Sequence, residues 1–166
     1  MPFGSDQVLQ QIRDRLRAAN LQADSSIREV EHPPTETSEQ SAQARGEPLY
    51  VGAKALLLKT DDLFRLFVLP ADQKLDSAAV KNELRLKKLR FATREELLEL
   101  TGLVPGSVPP FGQPVLPFEL FADTSIGTQE NKVAFNAGSL TRSIIMPAAT
   151  WKQIAQPHCF RFGKQD

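Results

Sequence analysis

Apolar positions near the start of the chain recur every three or four residues. These positions are Val8, Leu9, Ile12 and Leu16. Such spacing gives a helix one apolar face. Ser5 or Asp6 supplies a side chain that can cap the free backbone N–H groups at the start of a helix. The pattern therefore predicts an amphipathic helix over residues 6–20.

A nearly continuous apolar run marks the middle of the chain. Residues 53–60 contain the apolar run Ala55 to Leu58, Asp61 and Asp62 follow, and residues 63–69 are again apolar except for Arg65. Strands that are buried on both faces have such runs, and two strands joined by a two-residue turn form a hairpin. We therefore predict a β-hairpin at the centre of a sheet.

Capping residues, glycines and proline mark four further helices. The first lies between Thr37 and Gly46, the second runs from Asp76 to Leu84 or Leu86, the third is Arg94–Thr101, and the last spans residues 147–155. Further strands are expected at residues 25–31, 89–92, 115–121, 132–135 and 143–146. Pro117 interrupts the third of these strands, which places it at an edge or gives it a bulge.

Helices and strands are mixed along the chain without strict alternation. This order predicts a single compact mixed α/β domain over residues 1–166, with a mostly antiparallel or mixed central sheet flanked by helices. The core is expected over roughly residues 25–150. The tail from Gln156 onward is expected to be frayed.

Charge and composition narrow the classes of partner. The 166 residues contain 20 Lys and Arg and 20 Asp and Glu, so the net charge is zero and any contact with nucleic acid depends on a local patch. One cysteine cannot form an internal disulfide, the first residues do not form a signal peptide, and no apolar run approaches the roughly 20 residues that cross a bilayer. We expect a cytoplasmic protein with no membrane or DNA partner.

Metal and cofactor chemistry have no support in the sequence. His32, Cys159 and His158 do not have the spacing of metal ligands, and there is no nucleotide-binding fingerprint. We expect neither a metal nor a cofactor. His32 precedes two prolines, and it is either a turn residue or a functional residue.

Two glycines and three prolines lie within residues 105–112. Proline restricts the backbone and glycine permits unusual conformations, so this loop is rigid. Two interpretations remain open. The loop is a structural turn between a helix and a strand, or it is a preformed wall of a small-molecule pocket.

Basic residues provide two further candidates. Lys54 opens the most apolar strand, and its ammonium group either reaches solvent or anchors a phosphate or a carbonyl that develops charge. A basic run covers residues 81–90 and contains a single acidic residue, Glu83. That run is a solvated helix face or, beside a catalytic pocket, a surface for an RNA backbone.

Five segments in register resemble the YbaK/ProX-type aminoacyl-tRNA deacylases. They are Gly52-Ala53-Lys54-Ala55-Leu56-Leu57-Leu58, Phe67-Val68-Leu69-Pro70-Ala71-Asp72, Lys88-Leu89-Arg90-Phe91-Ala92-Thr93, Gly106-Ser107-Val108-Pro109-Pro110-Phe111-Gly112 and Asn136-Ala137-Gly138. The resemblance covers roughly residues 25–150. It implies an editing domain akin to the insertion domain of bacterial prolyl-tRNA synthetases, which hydrolyses the ester between a wrong amino acid and the tRNA 3′ adenosine.

The resemblance also implies roles for individual residues. Lys54 matches the family lysine that holds the aminoacylated terminus. The amino-acid pocket would be walled by Gly106, Val108, Pro109, Pro110, Phe111 and Gly112, tuned by Asn136, Ala137 and Gly138, and completed by Ser143 and His32. Some cysteine-specific members carry an aspartate at the position of Ser143, so cysteine specificity is in doubt. The tRNA would be bound by Lys81, Arg85, Lys87 and Lys88. The expected partner is mischarged tRNA, with an aminoacyl-tRNA synthetase as an optional second partner.

The residues leave two alternatives to this interpretation. The same fold could bind a tRNA end or a nucleotide without hydrolysis. A small-molecule esterase could instead use Ser107 or Ser125 with His32, provided that those side chains lie within hydrogen-bond reach. The sequence does not identify the amino acid or the tRNA.

Overall fold

The computed structural model describes residues 4–165. Its helices are α1 (Gly4–Ala18), α2 (Ser38–Arg45), α3 (Ser77–Leu84), α4 (Arg94–Thr101) and α5 (Ala148–Ala155), with a 3₁₀ turn at Leu49–Val51. Its strands are β1 (Arg28–Glu31), β2 (Ala53–Thr60), β3 (Leu63–Pro70), β4 (Lys74–Leu75), β5 (Leu89–Phe91), β6 (Leu120–Asp123), β7 (Val133–Asn136), β8 (Arg142–Met146), β9 (His158–Phe160) and β10 (Gly163–Lys164). The predicted mixed α/β fold is confirmed.

The predicted helix starts rest on side-chain caps. The side chains of Thr37, Asp76 and Thr93 each accept a hydrogen bond from a backbone N–H in the first turn of their helix. Thr93 forms a full capping box with Glu96, because each side chain bonds the other residue's backbone. Local sequence chemistry therefore sets the starts of α2, α3 and α4.

The central sheet has the strand order β5-β2-β3-β6-β9. β2 and β3 pair antiparallel through all eight residues of each strand, and both lie inside the sheet, so the predicted central hairpin is confirmed. A second sheet, β1-β8-β7, is antiparallel throughout. A bridge between Gly52 and Ala134 connects the start of β2 to this second sheet.

The central sheet has a hydrophobic cluster on each face. Successive strand residues point to opposite faces, so Leu57 packs into the larger cluster and Leu58 into the smaller one. The larger cluster includes Trp151, whose indole N–H donates to the carbonyl of Pro110 at 2.9 Å. This bond fixes the rigid loop against α5.

Two sequence predictions about the second half are wrong. A strand was expected at residues 115–121, but β6 begins only at Leu120, because Val115 and Leu116 are buried within a series of turns. The tail was expected to be frayed, but β9 pairs in parallel with β6 and Phe162 is fully buried. Asp123 holds this tail by accepting the backbone N–H groups of Phe162 and Gly163 at 2.6 Å each.

No helix within residues 4–165 is both long and apolar enough to cross a membrane.

Candidate active site

A cavity of about 500 Å³ opens between α2, the start of β2 and the loop that precedes Val108. Its lining combines hydroxyl, cationic and apolar groups. The lining residues are Thr35, Glu36, Thr37, Ser38, Ser41, Arg45, Gly52, Ala53, Lys54, Ala55, Leu56, Ala71, Arg94, Pro105, Gly106, Val108, Asn136 and Leu140. We refer to this cavity as the central pocket.

One edge of β2 is open at the central pocket. β5 pairs only with Leu58–Thr60, so it leaves the first half of β2 uncovered on that side. The N–H of Ala92 donates to the carbonyl of Leu57 at 2.9 Å, which shows that Leu57 directs its backbone groups toward the β5 edge. Backbone directions alternate along a strand, so Ala55 directs its N–H and C=O toward the same edge and hence toward the pocket.

Arg45, the last residue of α2, lines the central pocket. Its Nε donates to Ser143 Oγ at 2.8 Å and its Nη2 donates to Asn136 Oδ1 at 3.0 Å. The Asn136 side chain in turn donates to the carbonyl of Gly106 at 2.7 Å. This network ties α2, β7, β8 and the rigid loop into one wall.

Burial lowers the pKa of Arg45 to about 10. This lowering from the ordinary pKa of arginine corresponds to about 3 kcal/mol of desolvation. Among the residues that the structure describes, no carboxylate forms a salt bridge with Arg45, whose partners are a neutral hydroxyl and a neutral amide. The guanidinium therefore presents an uncompensated positive charge in the lining of the central pocket, with Nη1 next to Gly52.

The pocket has a positive local charge although the chain is neutral overall. Its lining includes Arg45, Lys54 and Arg94 but one carboxylate, Glu36. Positive charge in a concave, partly buried site attracts anions. The pocket therefore suits a ligand with a phosphate group or with an oxygen that becomes negative during reaction.

Hydroxyl groups of α2 and the segment before it line the central pocket. Thr35 and Ser41 hydrogen-bond to each other at 2.8 Å, and both are buried. Thr37 and Ser38 line the same side, while Val108 and Leu140 provide apolar surface. The pocket can therefore accept a small ligand that has both a methyl or methylene group and a polar group.

The structure brings together part of the predicted site. Lys54, Gly106, Val108 and Asn136 all line the central pocket. Ser143 and His32 lie one layer behind, where His32 Nε2 and Ser143 Oγ are 2.8 Å apart. Both residues therefore reach the pocket only through Arg45 and Asn136.

The remaining predicted pocket residues do not line the central pocket. These are Pro109, Pro110, Phe111, Gly112, Ala137 and Gly138. Phe111 packs edge-on against Phe135 in the core, and a Cβ at Gly138 would lie 3.0 Å from the side chain of Val8 in α1. A Cβ at Gly112 would lie 2.5 Å from the carbonyl oxygen of Phe118. The expectation that Gly112 approaches a substrate is corrected, because this glycine makes room for the protein's own backbone.

The basic run lies at the far end of the central hairpin. The backbone N–H groups of Lys87 and Lys88 donate to Asp61 in the β2–β3 turn at 3.0 and 2.8 Å. Asp61 lies seven positions after Lys54 along β2, roughly 20 Å at the usual rise per residue. Lys81, Arg85, Lys87 and Lys88 are exposed there, away from the central pocket.

Sequence reasoning did not single out Arg45, Arg94, Thr35 or Ser41. Arg45 ends α2, where a basic residue is ordinary, and Thr35 and Ser41 lie near a helix start, where hydroxyl residues are common. Arg94 begins α4 and is exposed, as most surface arginines are. No local pattern separates such residues from pocket residues. The hydrogen bonds of Arg45 to β7 and β8 identify the α2 side of the pocket, and the packing of α4 beside β2 identifies Arg94.

The geometry does not support the alternative of a serine esterase. Ser107 Oγ donates to the carbonyl of Val104, and Ser125 Oγ donates to the carboxylate of Asp123. His32 instead contacts the carbonyl of Pro33 and Ser143, whose hydroxyl is buried. Neither candidate serine is paired with His32.

Comparisons with known proteins agree with the pocket. Residues 32–154 match the model of the aminoacyl-tRNA editing domain. The chain is 35% identical over 155 residues to the multifunctional Ser/Thr-tRNA deacylase ProXp-y of Escherichia coli (strain K12), covering 90% of this chain and 92% of that protein. It is 32% identical over 113 residues to the proline–tRNA ligase of Shouchella clausii, covering 68% of this chain and 20% of the ligase.

A solved structure has the same fold. The crystal structure of a candidate trans-editing enzyme for prolyl tRNA synthetase superimposes with a TM-score of 0.79 at 22% identity, covering 95% of this chain and 97% of that one. The resemblance stated from the sequence motifs is thus confirmed by a family match and by fold. The chain belongs to the aminoacyl-tRNA editing domain family, whose chemistry is the hydrolytic removal of amino acids from mischarged tRNA.

Proposed function

We propose that this chain is a trans-acting deacylase that hydrolyses seryl and threonyl esters of tRNA in the cytoplasm. The Escherichia coli relative, 92% of whose length aligns with this chain, is named as a Ser/Thr-tRNA deacylase. The observation that carries the proposal is the central pocket, whose lining combines hydroxyl side chains, Val108 and three cationic side chains.

The hydroxyl wall supports the choice of amino acid. A substrate hydroxyl can form hydrogen bonds in the pocket that an analogue without the hydroxyl cannot form, and this difference favours amino acids that carry a hydroxyl. Thr35 and Ser41 would exchange their mutual hydrogen bond for bonds to the serine or threonine hydroxyl. Val108 would contact the threonine methyl group.

The cations and the open strand edge support the chemistry. Water adds to the ester carbonyl carbon, the carbonyl oxygen becomes negative, and the bond to the ribose oxygen then breaks as that oxygen takes a proton that water supplied. The Ala55 N–H and the charges of Lys54 and Arg45 would stabilise the negative oxygen. An ester is already activated, so positioning and charge stabilisation suffice without a protein nucleophile.

The test is a panel of tRNAs charged with serine, threonine, alanine, cysteine or proline. We expect release of serine and threonine to exceed the other releases. Lys54→Ala should lower kcat/KM for seryl-tRNA by about 2–4 kcal/mol of transition-state stabilisation, the range for one charge-stabilising contact. Lys74→Ala, at a lysine of β4 outside the pocket lining, is the matched control.

The same panel tests the alternative of a non-catalytic binding module. Tight binding of tRNA with no release of any amino acid above the uncatalysed rate would support that module and refute the deacylase. Near-normal release by the Lys54→Ala variant would remove Lys54 from the site.

A further inference from the structure

A second, smaller groove continues from the central pocket. It has a volume of about 150 Å³ and lies between the open edge of β2, the end of β5 and the start of α4. Six residues line both cavities, namely Ala55, Leu56, Arg94, Pro105, Gly106 and Val108. We call this cavity the side groove. Its continuity with the central pocket means that one elongated ligand can occupy both.

The side groove is apolar and includes an exposed aromatic ring. Phe91, the last residue of β5, is 57% exposed, which is unusual for a large hydrophobic side chain in this protein. Leu56, Ala92 and Leu97 add further apolar surface. An exposed aromatic at a groove that joins a polar pocket indicates a ligand with a flat apolar face.

Cationic groups flank the side groove. Arg94 is exposed and, within residues 4–165, has no carboxylate partner, whereas Arg90 makes two hydrogen bonds of 2.8 and 2.9 Å to Glu96. From Phe91, β5 leads back to Lys88 and Lys87 at the far end of the hairpin. A track of positive charge thus runs from the central pocket past Phe91 to the basic run.

We propose that the side groove binds the terminal adenine of tRNA, stacked on Phe91 and Arg94, and that the two preceding nucleotides follow β5 toward Lys88. This inference rests on the proposed function, because the ester in the central pocket is attached to the ribose of that adenosine. Unpaired bases bind proteins by stacking on aromatic rings and on arginine, and their phosphates bind to basic residues.

The experiment measures binding of the unacylated trinucleotide CCA, labelled at its 5′ end, by fluorescence anisotropy. Phe91→Ala should weaken binding roughly 5- to 150-fold, the usual effect of removing one base–aromatic stack. Phe91→Tyr keeps the ring and should bind normally. Leu98→Ala is the matched control, since Leu98 is 52% exposed on α4 but lines neither cavity.

A second oligonucleotide identifies the base involved. CC followed by an abasic 3′ nucleotide should bind the wild-type protein as weakly as CCA binds the Phe91→Ala variant, and the variant should not weaken it further. Equal binding of the two oligonucleotides, or an equal effect of Phe91→Ala on both, would overturn the proposal. These measurements need no hydrolysis, so their outcome is separate from that of the deacylase proposal.

Kinetics provide an independent readout. Phe91→Ala should raise KM for seryl-tRNA with little change in kcat, and it should leave hydrolysis of a small serine ester without adenosine unchanged. A variant that loses activity equally on both substrates would place Phe91 in the fold or in the chemistry and would contradict an adenine site.

Discussion

Replacing Arg45 by methionine should separate stability from activity. The guanidinium is buried at a cost of about 3 kcal/mol, as its lowered pKa indicates. Methionine removes that cost and also removes two hydrogen bonds, each of which contributes roughly 1 kcal/mol. Ser143 Oγ and Asn136 Oδ1 remain bonded to each other at 3.1 Å, so neither is left without a partner.

These contributions nearly cancel for the folded state. We expect the free energy of unfolding of Arg45→Met to differ from wild type by less than about 1.5 kcal/mol, in line with other replacements of buried charges by apolar groups. The cost of burying the charge is present at every pH below the folded pKa of about 10 and disappears only above it. The stability difference should therefore be constant between pH 6 and 9.

The stabilisation of the transition state should decrease by much more than the free energy of unfolding. Removing one charge that stabilises the negative oxygen should lower kcat/KM for seryl-tRNA by roughly 30- to 1000-fold, or about 2–4 kcal/mol. Urea unfolding measures the free energy of unfolding, and steady-state deacylation by the same preparation measures kcat/KM.

Arg15→Met is the matched control for this variant. Arg15 donates through Nε and Nη2 to the carbonyl of Ile154, and it does not line the central pocket. Its replacement should lower stability by about 1–2 kcal/mol and leave kcat/KM unchanged. A loss of about 3 kcal/mol of stability in Arg45→Met with normal activity would refute the reasoning and make Arg45 a structural clamp.

Three further outcomes are expected. Reversing the charges of Lys87 and Lys88 should weaken tRNA binding and reduce the slope of log affinity against log salt by roughly 0.7–0.9 per lost phosphate contact, and an unchanged slope would make the run a solvated face. Gly112→Ala should lower the free energy of unfolding by about 1–3 kcal/mol, because its Cβ would lie 2.5 Å from the carbonyl oxygen of Phe118. The ratio of seryl-tRNA to threonyl-tRNA hydrolysis should stay constant, and a changed ratio would show that Gly112 contributes to the pocket. Burial raises the pKa of Asp123, but hydrogen bonds from Ser125, Gly163 and Phe162 outweigh it and lower that pKa. The stability contributed by Asp123 is thus present above its unfolded pKa of about 3.9 and lost as pH falls through the lower folded value, so Asp123→Asn should be destabilising at pH 7 and converge with wild type in acid.

Local sequence determined the elements whose stabilising contacts are close in the chain. The capping box of Thr93 and Glu96 needs only three residues of separation, and the hairpin of β2 and β3 needs only a two-residue turn. Both could be derived from the sequence because their hydrogen bonds are local. Motif resemblance likewise identified the family and placed Lys54, Gly106, Val108 and Asn136, which the structure brings to one pocket.

The tertiary structure decided features that depend on distant contacts. Phe162 is buried because Asp123, 39 residues earlier, accepts the N–H of its backbone, and no local pattern marks that pairing. Arg45 becomes a pocket cation because its partners lie 91 and 98 residues further along the chain. Gly112 looked like a substrate contact but is a glycine because the carbonyl of Phe118 occupies the space of a Cβ. The sequence by itself specified the local hydrogen bonds and the family motifs, whereas only long-range packing specified which side chains surround the pocket.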